Sequence, residues 1–192
     1  MKNIVFCSIL FVFTNLMFGQ SNKQKATLFF RDGTSLSCFA RVAGDYIRYV
    51  EKDLRGAEIG VNYKELTGID IWMHDRLIHL VYKTEQGKSK PRLMEMNIDG
   101  KMKLYRIADV YNSNVGFDFN GKFLNPKSGS TVYFLETKEN QDIVFRFSSN
   151  FDKLAKIYFS DCEDLLAQLG KDNFRKKDIL KIVIFYNENC GK

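Results

Sequence analysis

The apolar residues of this chain change their repeat once, near Asn150, and that change sets the fold class. Before it they recur at every second position, so alternate side chains fall on opposite faces of strands; after it they recur every three or four, as on one side of a helix. Thr27 to Phe30 leads into Asp32 and Gly33, the pair that most often closes a two-residue hairpin. In the next strand Leu36, Cys38, Ala40 and Val42 share one face, with Ser35, Ser37 and Arg41 on the other. Cys38 is therefore expected to point inward. Gly44 and Asp45 turn the chain into Tyr46 to Val50, and further strands are expected at Leu66 to Trp72, Leu77 to Tyr82, Leu93 to Ile98 and Met102 to Ile107. Asp99 with Gly100, and Asn120 with Gly121, read as further hairpin turns, while Val132 to Leu135 is expected to pair with Ile143 to Phe147. Hairpins in series imply a meandering, mostly antiparallel sheet.

Beyond Asn150 three stripes follow: Phe151, Leu154, Ala155 and Tyr158; Cys162, Leu165, Leu166 and Leu169; Ile179, Ile182, Val183 and Tyr186. Ser160 and Glu163 stand at capping-box spacing before the second, and Gly170 ends it. Arg175, Lys176 and Lys177 would sit at the positive end of the third helix's dipole, so that helix begins nearer Asp178 or the bases have another use. The expected architecture is α+β: an antiparallel β-meander or barrel-like sheet over residues 21–148, then a three-helix C-terminal unit over 149–192.

Lys2 precedes an apolar run from Ile4 to Phe18, with Gly19, Gln20 and Ser21 after it. That is the pattern of a secretory signal peptide over residues 1–20, and the run is short for a bilayer span of about 20 residues, so cleavage is expected rather than anchoring. The protein is then exported, periplasmic or extracellular, with no transmembrane span left after cleavage. Cys7 departs with the leader, leaving Cys38, Cys162 and Cys190 in an oxidising space. Antiparallel packing of the second and third helices brings Cys162 beside Cys190. A structural disulfide there is weighed against a redox-active pair and free thiols; it would close a loop of about 29 residues, a constraint of roughly 3 to 4 kcal/mol on the unfolded chain.

Tyr158, Phe159, Ser160, Asp161 and Cys162, then Phe174, Lys176, Lys177, Asp178 and Ile179, then Phe185, Tyr186, Asn187 and Cys190 form a run that resembles the C-terminal ends of uncharacterised secreted proteins of the Bacteroidetes type. A leader ending in Gln20 fits the same group. The resemblance implies secretion and a helical C-terminal unit, and it carries over no catalytic residue.

Chemistry-bearing motifs are sparse. No GxSxG elbow, HExxH helix, phosphate loop or EF-hand loop is present, so no catalytic, metal or cofactor residue is assigned. His74, Asp75 and His79 are the one histidine cluster, and a metal there would need Asp70 or Glu65 as a third ligand. Phe117, Phe119 and Phe123 around Asn120 and Gly121 are a candidate contact tip, weighed against burial in the core. Lys88, Lys90 and Arg92 read as a solvated loop. The net charge of +6 admits anionic lipid, cell-wall polymer or an evenly solvated surface as its explanation, and no RNA-binding signature supports nucleic acid. The expectation is a non-catalytic binding protein for another protein or a cell-surface polymer, with a carrier of an apolar small molecule or a secreted hydrolase as alternatives.

Overall fold

The computed structural model describes residues 23–54, 56–73, 75–107, 131–136, 140–147, 150–171 and 174–190; the leader, His74 and the Phe117, Phe119, Phe123 tip lie outside them. Among the described residues ten strands share one sheet. They are β1 (Gln24–Phe30), β2 (Ser35–Ala43), β3 (Tyr46–Val50), β4 (Ile59–Val61), β5 (Leu66–Met73), β6 (Arg76–Glu85), β7 (Arg92–Ile98), β8 (Leu104–Ile107), β9 (Val132–Glu136) and β10 (Ile143–Arg146). Helices α1 (Phe151–Tyr158), α2 (Glu163–Leu166) and α3 (Ile179–Asn189) follow, with a 3₁₀ turn at Lys176–Asp178 before the last. The α+β expectation holds, and β4 is an edge strand of three residues that alternation did not reveal.

Strands β1 to β6 curl around the first core. Leu28, Ala40, Ile47 and Leu66 are fully buried there, with Ile69 and Leu80 almost so. Each such aliphatic side chain contributes about 1.5 to 3 kcal/mol of transfer free energy. The Tyr82 hydroxyl of β6 donates to the Asp45 carbonyl in the β2–β3 turn at 2.9 Å, tying the two ends of the curl. Burial first, and then the nearby Asp45 and Glu65, push that phenol well above its ordinary value.

The expected mostly antiparallel meander holds, with one parallel pairing that makes the sheet mixed. β10 pairs antiparallel with β9 and parallel with β6. Thr84 N donates to Asp142 O at 2.9 Å and Gln86 N to Val144 O at 2.7 Å, so β6 to β10 close into a five-stranded ring. Strand β6 serves both halves of the sheet: residues 76–81 pair with β5, and Thr84 and Glu85 seal the ring. Met94, Tyr105, Phe134 and Val144 fill the interior, each at most 2% exposed. Lys83 bolts the seam, its ammonium donating to Glu136 Oε1 at 3.0 Å and to Gln141 O at 2.6 Å. Tyr105 donates to the same carboxylate oxygen at 2.9 Å. That phenol too is driven far above its ordinary value, first by burial and then by Glu136.

The other side of the ring carries Leu104, Leu135 and Phe145, against which Phe151, Phe159, Leu165, Ile182 and Tyr186 pack to form a second core. Cys162 and Cys190 are placed as a disulfide pair, with Cα atoms 5.5 Å apart. Beside it the Tyr186 hydroxyl donates to Asp161 at 2.8 Å, and Lys101 reaches the same carboxylate at 3.3 Å. Burial and then the Asp161 carboxylate raise the Tyr186 phenol to about 12. Asn187 clamps the β7–β8 connection, accepting from Met102 N at 2.8 Å and donating to Met102 O at 2.9 Å. A Cβ at Gly100 would stand 2.5 Å from the Asn187 amide nitrogen, so a larger residue there would have to displace the Asn187 side chain from its clamp.

Three expected local features are therefore corrected. The strand expected from Met102 begins at Leu104, because Asn187 takes the Met102 backbone groups that a hairpin would use; residues 99–103 are a longer connection. Ser160 does not cap α2. Its N-cap is Cys162, and no side chain caps it, because Phe159 and Cys162 are both buried by a turn in which Cys162 N bonds Phe159 O, leaving Ser160 exposed. The helix expected to run to Gly170 ends at Leu166, with Ala167 as its C-cap, and Gly170, at φ +83°, closes the turns that follow; α3 does begin just after Asp178.

Candidate functional site

The outer face of β1, β2, β5 and β6 is an ordered surface set by the strand register. Ser37 pairs with Thr27, Thr27 with Asp70, and Asp70 with His79, a polar row across four strands. Two residues along, Phe39 pairs with Lys25 on one side, and Trp72 pairs with Leu77 on the other. Between the rows lies a shallow groove of about 420 Å³ that also takes in Glu51. Trp72 is 50% exposed on it. A half-exposed indole among hydroxyl, ammonium and carboxylate groups offers a flat apolar platform with hydrogen-bonding edges.

Asp70 Oδ1 meets His79 Nδ1 at 2.6 Å, which orients the imidazole. The pair resembles two-thirds of a catalytic triad, but the register separates it from a nucleophile. Strands lie about 4.8 Å apart, so Thr27 stands roughly 10 Å from His79 and Ser37 roughly 14 Å. Glu65, a sequence candidate for the third metal ligand, is occupied elsewhere, accepting from Asn62 N at 3.0 Å in the turn before β5. Among the described residues no group of three or more His, Cys, Asp or Glu side chains is arranged to hold a metal.

Cys38 is 7% exposed on the first core, as the alternation of β2 requires. Burial, and then the charge of Glu51, raise its thiol to about 11 from 9.0. Near pH 8 the native thiolate population should fall roughly a hundredfold below that of an ordinary cysteine. Alkylation by iodoacetamide is expected to be at least that much slower in the native protein than in denaturant; equal rates would show the thiol to be accessible.

The basic residues divide into paired and unpaired sets. Glu58, beside β4, gathers Arg41 at 2.9 Å, Lys23 at 3.3 Å and Arg48 at 3.6 Å. The hydrogen bond from Arg41, then that from Lys23, hold its carboxyl down at about 2. Lys90, in the loop expected to be solvated, pairs with Asp45 at 3.5 Å. Arg146, Lys176 and Lys177 instead line a cavity of about 610 Å³ beside Tyr133, Phe147 and Ile179, and among the described residues no acid lines it. The misplaced bases before the third helix thus have a location that their position against the helix dipole had flagged.

Sequence reasoning brought together Cys162 with Cys190 and sheltered Cys38, and the structure agrees. It missed the Trp72 face, although the signal was present: in β5 the tryptophan alternates with Asp70, on the polar side. No protein-family model, curated protein or solved structure matches the chain.

Proposed function

We propose that the protein is an exported, non-catalytic binding module that recognises a cell-surface polysaccharide through the groove at Trp72. The observation that carries this reading is the half-exposed indole on the sheet face near the β5–β6 turn, in a groove shared with Lys25, Thr27, Glu51 and Asp70. Sugar rings present an apolar C–H face and a rim of hydroxyls, which is the complement of such a platform. Export is supported by the leader pattern of residues 1–20, by the Cys162 and Cys190 pair, which suits an oxidising space, and by the resemblance of the C-terminal run to secreted proteins. Among the described residues no helix is long and apolar enough to cross a membrane.

The carrier reading has less support, because an apolar ligand inside the ring would have to displace Met94, Tyr105 and Phe134. The hydrolase reading, His79 or His74 acting with carboxylates, has among the described residues one histidine–carboxylate pair, Asp70 with His79, to support it. Retention on a panel of immobilised envelope polysaccharides tests the proposal. The mature protein is expected to bind a subset of them, and Trp72→Ala to weaken that binding roughly thirtyfold or more while changing fold stability by no more than about 1 kcal/mol. Binding that survives Trp72→Ala unchanged would remove the groove from the account.

A further inference from the structure

The cavity lined by Arg146, Lys176 and Lys177 opens beside the start of α3, and the exposed side of that helix continues its chemistry. Leu180, Lys181 and Ile184 fall within an arc of about 100° by the helical repeat, and Lys177 precedes them in the 3₁₀ turn. Leu180 is 36% and Ile184 43% exposed, while the opposite side, Ile179, Ile182, Val183 and Tyr186, is buried in the second core. The helix is therefore apolar on both sides, and the core accounts for only one of them. Among the described residues no acid pairs with Arg146, Lys176, Lys177 or Lys181, in contrast to the cations gathered on Glu58. The one acid on the arc, Glu188, lies a turn beyond Ile184, away from the cavity.

We propose that this face docks on an anionic membrane surface, a site distinct from the Trp72 groove and independent of it. A lipid phosphate enters the cavity among Arg146, Lys176 and Lys177, and Leu180 and Ile184 dip into the interface at the level where acyl chains begin. Charge complementarity favours a lipid over an uncharged ligand: three cations line one cavity with no counterion among the described residues, and Tyr133, Phe147 and Ile179 beside them are largely apolar. An amphipathic helix with cations flanking its outward apolar residues is the form that lies in the plane of a bilayer surface.

Co-sedimentation of the mature protein with vesicles tests this, using phosphatidylcholine alone and phosphatidylcholine with phosphatidylglycerol as about a third of the lipid. Binding to the anionic vesicles only, weakened by salt, is expected. Each cation near an anionic surface is worth roughly a fivefold change in partitioning, so Lys176→Gln with Lys177→Gln should lose about twenty-fivefold. Leu180→Asn with Ile184→Asn should also lose binding although every charge is kept, which separates docking from simple charge attraction. All four positions lie outside the cores, and an unchanged far-ultraviolet spectrum would verify folding; Lys181→Gln provides an independent charge variant. Equal binding to both vesicles, no binding to either, or indifference to these variants would overturn the proposal. Thermal stabilisation by inorganic phosphate without vesicle binding would also overturn it, making the cavity a site for a soluble anion.

Discussion

Replacing Cys162 and Cys190 together by alanine is expected to lower the stability of the mature protein by about 3 to 4 kcal/mol, and its Tm by roughly 7 to 15 °C. The bond spans 28 positions, and its loop contains α2, the turn at Gly170 and all of α3. Without it the unfolded chain regains the freedom of that loop. The native helices keep the packing of Phe159, Leu165, Ile182 and Val183, none of which is exposed. The loss should therefore appear as lower stability of an otherwise native fold, with helical content preserved at low temperature. Cys162 caps α2 through no side-chain bond, so its truncation removes no cap. A loss below about 1 kcal/mol would mean that the two sulfurs do not constrain the chain in solution.

A second large effect is expected at the seam of the ring. Lys83 and Glu136 are 12% and 10% exposed along their side chains, and Lys83→Met would leave the carboxylate buried with Tyr105 as its remaining side-chain partner. Breaking a buried pair from one side costs about 3 to 5 kcal/mol. The doubly neutral variant, Lys83→Met with Glu136→Gln, keeps an acceptor for the Tyr105 hydroxyl and should recover at least half of that loss. Hydrogen exchange locates the damage. Thr84 N and Gln86 N, which donate across the seam to β10, should lose protection first, while the amides pairing β1 with β2 keep theirs. Uniform loss across the sheet would show that Lys83 does not act at the closure.

What the sequence made legible was local or periodic. Alternation gave the faces of β1, β2, β5 and β6, and the stripe of each helix was read from its own residues; the cysteine pair followed from two stripes joined by a short turn. The ring closure was not legible, because the pairing of Thr84 and Glu85 with Ile143 and Val144 joins residues about sixty apart through only two positions of register. The Asn187 clamp escaped for the same reason. Asn187 stands 85 positions from Met102, and an asparagine near a helix end looks like any solvated one. It also explains why Asp99 and Gly100, read as a tight hairpin, instead open into a connection shaped by a distant side chain. Strand β4 was hidden by its length and by Gly60 at its centre. Trp72 and the cations Lys176 and Lys177 were individually visible, but their meaning came from their neighbours. The indole matters because Lys25, Thr27 and Asp70 surround it, and the lysines because Arg146 arrives from β10.

The groove at Trp72 carries the proposed polysaccharide binding, and the chain has a single tryptophan to report on it. Titrating the mature protein with soluble fragments of the retained polysaccharide while recording indole emission is the most direct measurement. The account predicts a saturable blue shift as Trp72 is covered, with a midpoint matching the affinity found by retention, and a weakened response when Asp70 is replaced by alanine. An emission spectrum that stays fixed while the polysaccharide is demonstrably bound would place the ligand elsewhere on the molecule and contradict it.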